Sequence, residues 1–333
     1  MADLAPTPNR RDWFAILLLL AVLAVVPPIA EAVGQPFAIK VASRVVVFAI
    51  AAVGLNLVLG FGGMVSLLHA GLFGVGGYVI GILAWHDFNG EALHLGPIAY
   101  AGTGNLLISL PLAVLVSAGA AALMGVVSLR TNGAYFIMIT LAFNQMLYYL
   151  GVALQKYGGE DGLQIQGDLS LAGLDPSKRL VYFYVSLAAL AVVMVLVQRL
   201  VGSRFGMVLR ATAQNERRVK ALGIPPTRYR LTAFALSGGI AGLAGALMAS
   251  GQQFISPADM SWVRSGDLVV MCVLGGLTTV WGPVLGAALF LLLELGLSSL
   301  TNAWQLPFGL IVIGMAVWLH DGLIGAIRRW VQS

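Results

Sequence analysis

The sequence predicts an all-α polytopic membrane protein with about ten transmembrane helices, broken or re-entrant segments among them. Three observations predict it. Mean hydropathy over the 333 residues is +0.90. Charged residues make up 10% of the chain and hydrophobic ones 59%, against about 25% charged in soluble domains. Several runs of about twenty residues carry almost no charge, and that is the helical length needed to cross ~30 Å of hydrocarbon. Ten crossings would use roughly 200 residues, leaving short loops and no room for a separate soluble domain. The 41 glycines suit close helix contact, because lipid supplies no hydrophobic drive between helices and small residues let backbones approach.

Taken in order, the expected spans are 13–33, 41–60, 64–87, 104–128, 134–153, 181–201, 229–250, 266–281, 283–301 and 304–320. The first follows Arg10-Arg11 and contains Pro27-Pro28, so it also resembles a signal peptide; the apolar run continues nearly to Gly34 without a clear small-x-small site, which favours a retained helix. Gly62-Gly63, between the second and third spans, and Gly275-Gly276 in the eighth are each followed by a short run ending in Ser or Thr. Gly-interrupted apolar segments in corresponding positions are a mark of broken helices along a pathway.

Lys and Arg set the orientation. With the N-terminus inside, 13 of the 19 basic residues collect on the cytoplasmic side: Arg10, Arg11, Arg130, Arg199, Arg204, the six of 210–230, Arg328 and Arg329. Lys40, Arg44, Lys156, Lys178, Arg179 and Arg264 fall outside. The positive-inside rule therefore places both termini in the cytoplasm of a multi-pass plasma (inner) membrane protein. The expected organisation is a cytoplasmic tail 1–12, a transmembrane domain 13–320 with an outside loop 154–180 and a cytoplasmic loop 202–228, and a basic cytoplasmic tail 321–333.

The cytoplasmic loop is the most polar part of the chain. Residues 210–230, "RATAQNERRVKALGIPPTRYR", carry seven charges, six of them cationic. At bilayer depth these and Arg204 would cost ~2.5–3.5 kcal/mol each, so they lie outside the hydrocarbon. Val208, Ala211, Val219 and Leu222 recur at three- and four-residue steps, which predicts a short amphipathic helix over 208–222. Gly223 supplies its stop, and Pro225-Pro226 prevent continuation. Asn215 is an alternative N-cap for a shorter helix, with Glu216 in its first turn and Lys220 in its last. Such a loop is either a topology anchor or a docking helix for a soluble partner.

The stretch "GMVLRATAQNERRVKALGIPPTRYRLTAFALSGGIAGLAGALMA" closely resembles the cytoplasmic loop and following helix of the membrane subunits of branched-chain amino acid ABC transporters, in their LivM-type half. Further signatures follow the family's order: "GLNLVLGFGGMVSLLHAGLFGVGGY" at 54–78, "LRTNGAYFIMITLAFNQML" at 129–147, "GGEDGL" at 158–163, "VLGGLTTVWGPVLGA" at 273–287 and "GLIG" at 322–325. The resemblance covers the chain from about residue 40. It implies a membrane subunit of a binding-protein-dependent importer for branched-chain or related amino acids, the family also including permeases for urea, amides and aromatic or carboxylic acids. It implies as partners a second, homologous permease subunit, two ATP-binding subunits and a substrate-binding protein on the outer face. The family's Glu and the Gly seven residues on, here Glu216 and Gly223, belong to the loop that docks the ATPase; Arg210, Asn215, Arg217, Arg218 and Lys220 complete the expected docking set. Gly158, Gly159, Glu160 and Asp161 are the expected contacts for the binding protein. Three departures stand out: Arg218-Val219 where the family has small residues, Lys156-Tyr157 where Thr is common, and His320-Asp321 in place of Ala-Pro.

Polar groups at membrane depth are costly and default to functional candidates. Asn56, Ser66, His69, Asn144, Gln145 and Glu294 are the pathway candidates, each with a structural alternative as a hydrogen bond between helices. The single Cys272 lies in an apolar run and reads as packing. The chain contains no G-x-x-x-x-G-K-[ST] phosphate loop, H-E-x-x-H or G-x-S-x-G. The chain is therefore not expected to be an enzyme, and no cofactor or metal is expected. The net charge of +5 sits in loops beside spans and faces membrane lipid, which excludes a nucleic-acid partner. A secondary transporter working alone would need intramembrane acids for its coupling ion, and only Glu294 qualifies. A scaffold or insertion factor is the third class, and it predicts no transport phenotype on deletion.

Overall fold

The computed structural model describes residues 10–95, 98–166, 169–170, 178–277, 279–301 and 303–318. The expected tail 321–333, with His320-Asp321, Arg328 and Arg329, lies outside them, as do 167–168 and 171–177 of the expected outside loop. In chain order the elements are α1 (Arg10–Ala32), α2 (Pro36–Asn56), which passes into a π-helical turn (Leu57–Phe61), α3 (His69–Asn89), β1 (Leu93–Leu95), β2 (Ile98–Tyr100), α4 (Leu106–Ser128) and α5 (Ala134–Ala153). Then come β3 (Leu163–Gln164), α6 (Arg179–Gly202), α7 (Arg204–Gln214), α8 (Glu216–Ala221), α9 (Pro226–Gln252), β4 (Phe254–Ile255), α10 (Trp262–Gly275), α11 (Gly282–Leu300) and α12 (Gln305–Trp318).

The chain is helical and polytopic. Among the described residues, seven stretches are long and apolar enough to cross a membrane: Asp12–Ala32, Phe37–Phe61, Leu106–Ser128, Ala134–Ala153, Arg179–Gly202, Pro226–Gln252 and Gly282–Leu300. They coincide with seven of the ten expected spans. The other three differ for physical reasons. The expected span 64–87 begins only at His69, and the helix carries five glycines, two histidines and Asp87. A helix whose residues are mostly buried in protein needs no lipid-facing apolar belt. The expected span 266–281 is the 14-residue α10, about 21 Å long, ended by Gly275-Gly276. The last, 304–320, is described as α12 to Trp318. Two short ribbons not expected from the sequence, β1 with β2 and β3 with β4, are antiparallel.

The chain divides into two compact units, the first Met1–Met64, Leu187–Ala233 and Gly266–Ser333, the second Val65–Ser186 and Phe234–Ser265. The core of the first is α2, whose residues Val46 to Val53 are almost wholly buried and which packs along α11 and against α1. A helix apolar all round is what a central position requires. Pro36 starts it at a position that needs no N–H partner. In the second unit α3 packs on α4 and α5. It also meets α9 backbone to backbone, a Cβ at Gly76 or Gly245 overlapping the carbonyls of Gly242 or Phe73. Asn105 caps α4, its side-chain oxygen accepting from the Leu107 N–H at 3.0 Å.

Candidate functional site

The polar segment 203–223 forms not one helix but two, with the break at Asn215. Both sequence-level alternatives hold in part: α7 takes the amphipathic residues to Gln214, and Asn215, extended at φ −157°, restarts the chain as N-cap of α8. The Asn215 side-chain oxygen accepts from the Arg218 N–H at 3.0 Å. The competing local bond is what interrupts the helix. Gly223 at φ +78° then ends α8, and α9 starts at Pro226. Removing the cap in Asn215→Ala is expected to cost about 1 kcal/mol of local stability, read as roughly fivefold faster amide exchange over 216–221.

The inner face of this element is apolar and the outer face cationic. Leu209, Thr212 and Val219 are buried. Arg217, Arg218 and Lys220 are exposed, with the apolar Leu222 standing out at 73% exposure. Arg210 points elsewhere: its Nη1 donates to the Val201 carbonyl at 3.1 Å, tying α7 to the end of α6, and its burial lowers its pKa. The Glu216 carboxylate takes Lys220 Nζ on Oε1 and Arg230 Nη1 on Oε2, each at 2.7 Å. Hydrogen bonding from Lys220, with the charge of Arg230 beside it, holds its pKa below the usual carboxylate value. The Lys220 pairing is legible at i,i+4. The Arg230 pairing, fourteen residues away, was missed because only the fold of 215–226 brings the two together.

α7 rests on a break in the first unit. It packs against the π-helical turn, and a Cβ built at Gly63, φ +64°, would lie 3.1 Å from Ala213 Cβ. Both Gly-Gly motifs are true interruptions. The chain leaves the helix after Phe61 and again after Gly275, and Gly63 and Gly276 (φ +110°) occupy the left-handed region. The two interruptions also meet. Asn56 Nδ2 donates to the Thr279 carbonyl at 2.9 Å, and the Leu277 carbonyl occupies the space a Cβ of Gly60 would fill. Asn56 Oδ1 is buried there without a hydrogen-bond partner. π-turns and unsatisfied buried acceptors are features that sites retain for function. In the same unit Glu294 stands half-buried on α11, its Oε2 buried and unpartnered.

The remaining pathway candidates, Ser66, His69, Asn144 and Gln145, lie in the second unit, and two of them, Ser66 and Asn144, serve one structural purpose. Residues 65–68 are not helical, so the first N–H groups of α3 need partners. Side chains supply them: Thr140 Oγ1 accepts from Leu67 N at 3.2 Å, Ser66 Oγ from Leu68 N at 3.3 Å, Ser265 Oγ from Ala70 N at 3.0 Å and Asn144 Oδ1 from Gly71 N at 2.7 Å. Asn144 Nδ2 also donates to the Met260 carbonyl at 2.8 Å. His69 Nε2 pairs with Ser237 Oγ at 2.7 Å, its ring edge-on to Phe234. Gln145, next along α5, leaves its Oε1 buried and unpaired.

The segment 158–163 also belongs to the second unit. Gly158 and Gly159 both have positive φ, and a short 3-10 turn presents Glu160 and Asp161 to solvent. The departure at Lys156-Tyr157 acquires a reason here. Lys156 Nζ pairs with Glu91 at 2.7 Å and lies 4.9 Å from the Trp85 ring centroid. Tyr157 OH bonds His86 Nε2 at 2.9 Å, while His86 Nδ1 donates to the Glu91 carbonyl at 2.7 Å. The hydrogen bond from Lys156 lowers the Glu91 pKa. The two residues clasp the 158–163 segment to the end of α3, a role no spacing rule signals across 65 or 71 residues.

Comparison with known proteins shows the family of the chain. The profile of the family described as "Branched-chain amino acid transport system / permease component" matches residues 37–327. The high-affinity branched-chain amino acid transport system permease protein LivM of Salmonella typhimurium is 28% identical over 94% of this chain and 75% of its own length. Its namesake from Escherichia coli is 27% identical over the same shares. The autoinducer 2 import system permease protein LsrC of Salmonella paratyphi B is 29% identical over 71% of this chain and 64% of its own. No solved structure matches the chain.

Proposed function

We propose, from the premise that this chain belongs to the family of branched-chain amino acid transport system permease components, that it forms part of the pathway for branched-chain or related amino acids and is driven through α7 and α8. As a membrane subunit it does no nucleotide chemistry itself; two ATP-binding subunits supply it, a second homologous permease subunit completes the pathway, and a substrate-binding protein delivers the cargo. Both termini are placed in the cytoplasm and 158–163 on the outer face, where Gly158, Gly159, Glu160 and Asp161 receive the binding protein. The docking surface on the ATPase side is the exposed edge of α8, with Arg217, Arg218 and Lys220 around Leu222. It calls for a partner groove with an apolar pocket and acidic rim.

The observation that carries this reading is the contact of α7 with the helix break at Gly63. A docking element resting on an interrupted helix has a route for motion: ATP favours one arrangement of its own subunits, and differential affinity for two arrangements of the break biases the bundle. The expected result in reconstituted vesicles is uptake that requires the ATPase, ATP and the binding protein together. Gradient-driven flux through this chain alone would overturn the reading.

A further inference from the structure

We infer that Glu216 is an internal strut of the docking element, a positioning residue that holds α8 against the start of α9 through Arg230, and not a group offered to the ATPase. The inference rests on the docking role proposed above and assigns the mechanical part within it. Both carboxylate oxygens are already engaged within the chain, Oε1 by Lys220 and Oε2 by Arg230, each at 2.7 Å. The side chains of Glu216 and Arg230 are 23% and 14% exposed, whereas that of Lys220 is 59% exposed. A carboxylate held by two charge-assisted bonds and turned inward has little left to offer an incoming donor.

The local geometry makes such a strut necessary. α8 has six residues, about 9 Å of helix, and so short a helix is not stable by itself. On one side it meets the extended Asn215; on the other, Gly223 in the left-handed region and Ile224 separate it from the prolines. At both junctions the chain leaves the helical backbone conformation. Val219 seats the helix on its apolar side, but a buried methyl contact slides easily, while an ion pair with two fixed ends sets direction. Arg230 is one turn into α9, a 27-residue helix. A push on the exposed cations of α8 therefore reaches α9 through Glu216 and Arg230.

A contact residue and a strut respond differently to charge exchange within the chain. The test compares Glu216→Arg, Arg230→Glu and the double exchange in the complete transporter, with Arg228→Ala, at an exposed position in the first turn of α9, as control. Three quantities are read: the amount of ATPase that co-purifies, its hydrolysis rate, and substrate taken up per ATP hydrolysed. The expected result is co-purification within about twofold of the native chain for all variants, uptake per ATP reduced about tenfold or more in each single variant, and recovery of most of that loss in the double exchange. Arg228→Ala should leave uptake per ATP nearly unchanged. Should Glu216→Arg fail to accumulate in the membrane, Glu216→Gln is read instead, with the same separation of assembly from coupling. Loss of co-purification in Glu216→Arg that the double exchange does not restore would make Glu216 a contact residue and overturn the strut. Native coupling in both single variants would overturn it as well. If the native chain itself captured no ATPase, the docking role and the strut would fall together, a failure visible before any variant is compared.

Discussion

Replacing Gly63 by valine is expected to abolish most uptake while the chain still inserts and captures its ATPase. Gly63 stands at φ +64°, and the site of its missing Cβ is 3.1 Å from Ala213 Cβ on α7. An L-residue in this region costs about 1–2 kcal/mol, more if β-branched, and the crowding against α7 adds to it. Every 1.4 kcal/mol is a factor of ten in an equilibrium, so a strain of this size acting on only one arrangement of the break would cut transport roughly tenfold or more. Gly63→Asn is the control, since asparagine tolerates left-handed backbone and should retain more uptake than valine. Initial rates of substrate uptake at matched ATPase occupancy check the prediction. Equal loss of capture and uptake in the valine variant would mean that α7 has been displaced altogether and that the break transmits nothing.

The second large effect is expected at Asn144. Asn144→Leu deprives the Gly71 N–H and the Met260 carbonyl of their partner in a fully buried site. Unmet buried backbone groups cost ~1–3 kcal/mol each, so a loss of about 2–5 kcal/mol is expected, a large part of a typical domain's stability. The thermal unfolding midpoint in detergent should fall by several degrees. Asn144→Asp keeps the acceptor for Gly71 but loses the donor for Met260, and should fall in between. The alternative assignment of Asn144 to the substrate pathway predicts the opposite division, an altered KM for substrate with an unchanged midpoint. The same division separates the structural roles of Ser66 and Thr140 from a transport role.

The membrane class, the seven long spans and the polar element were legible because each rests on local chemistry. An apolar run of twenty residues needs only its own length to be recognised. Asn215, Gly223 and Pro226 act on the backbone within one turn, so the restart and stop of α8 could be anticipated, though not that the amphipathic stretch would divide at Asn215. Two helix boundaries differ from the expectation: α3 starts late at His69, where side chains such as Thr140, Ser265 and Asn144 satisfy N–H groups that hydrocarbon could not, and α10 is short because the chain leaves the helix at Gly275-Gly276.

What the sequence by itself determined is therefore the kind of molecule this is, its principal apolar spans and the polar element between α6 and α9, all consequences of patterns spanning a few turns. The tertiary structure alone decided which polar residues face each other: Glu216 with Arg230, Asn56 with Thr279, Asn144 with Gly71 and Met260, Lys156 with Glu91. Each pair except Glu216 with Arg230 joins residues 65 or more positions apart. Hydrogen bonds and ion pairs act over about 3 Å, so their partners are fixed by where the packed backbone brings the chain back to itself, and no periodicity along the sequence encodes that return.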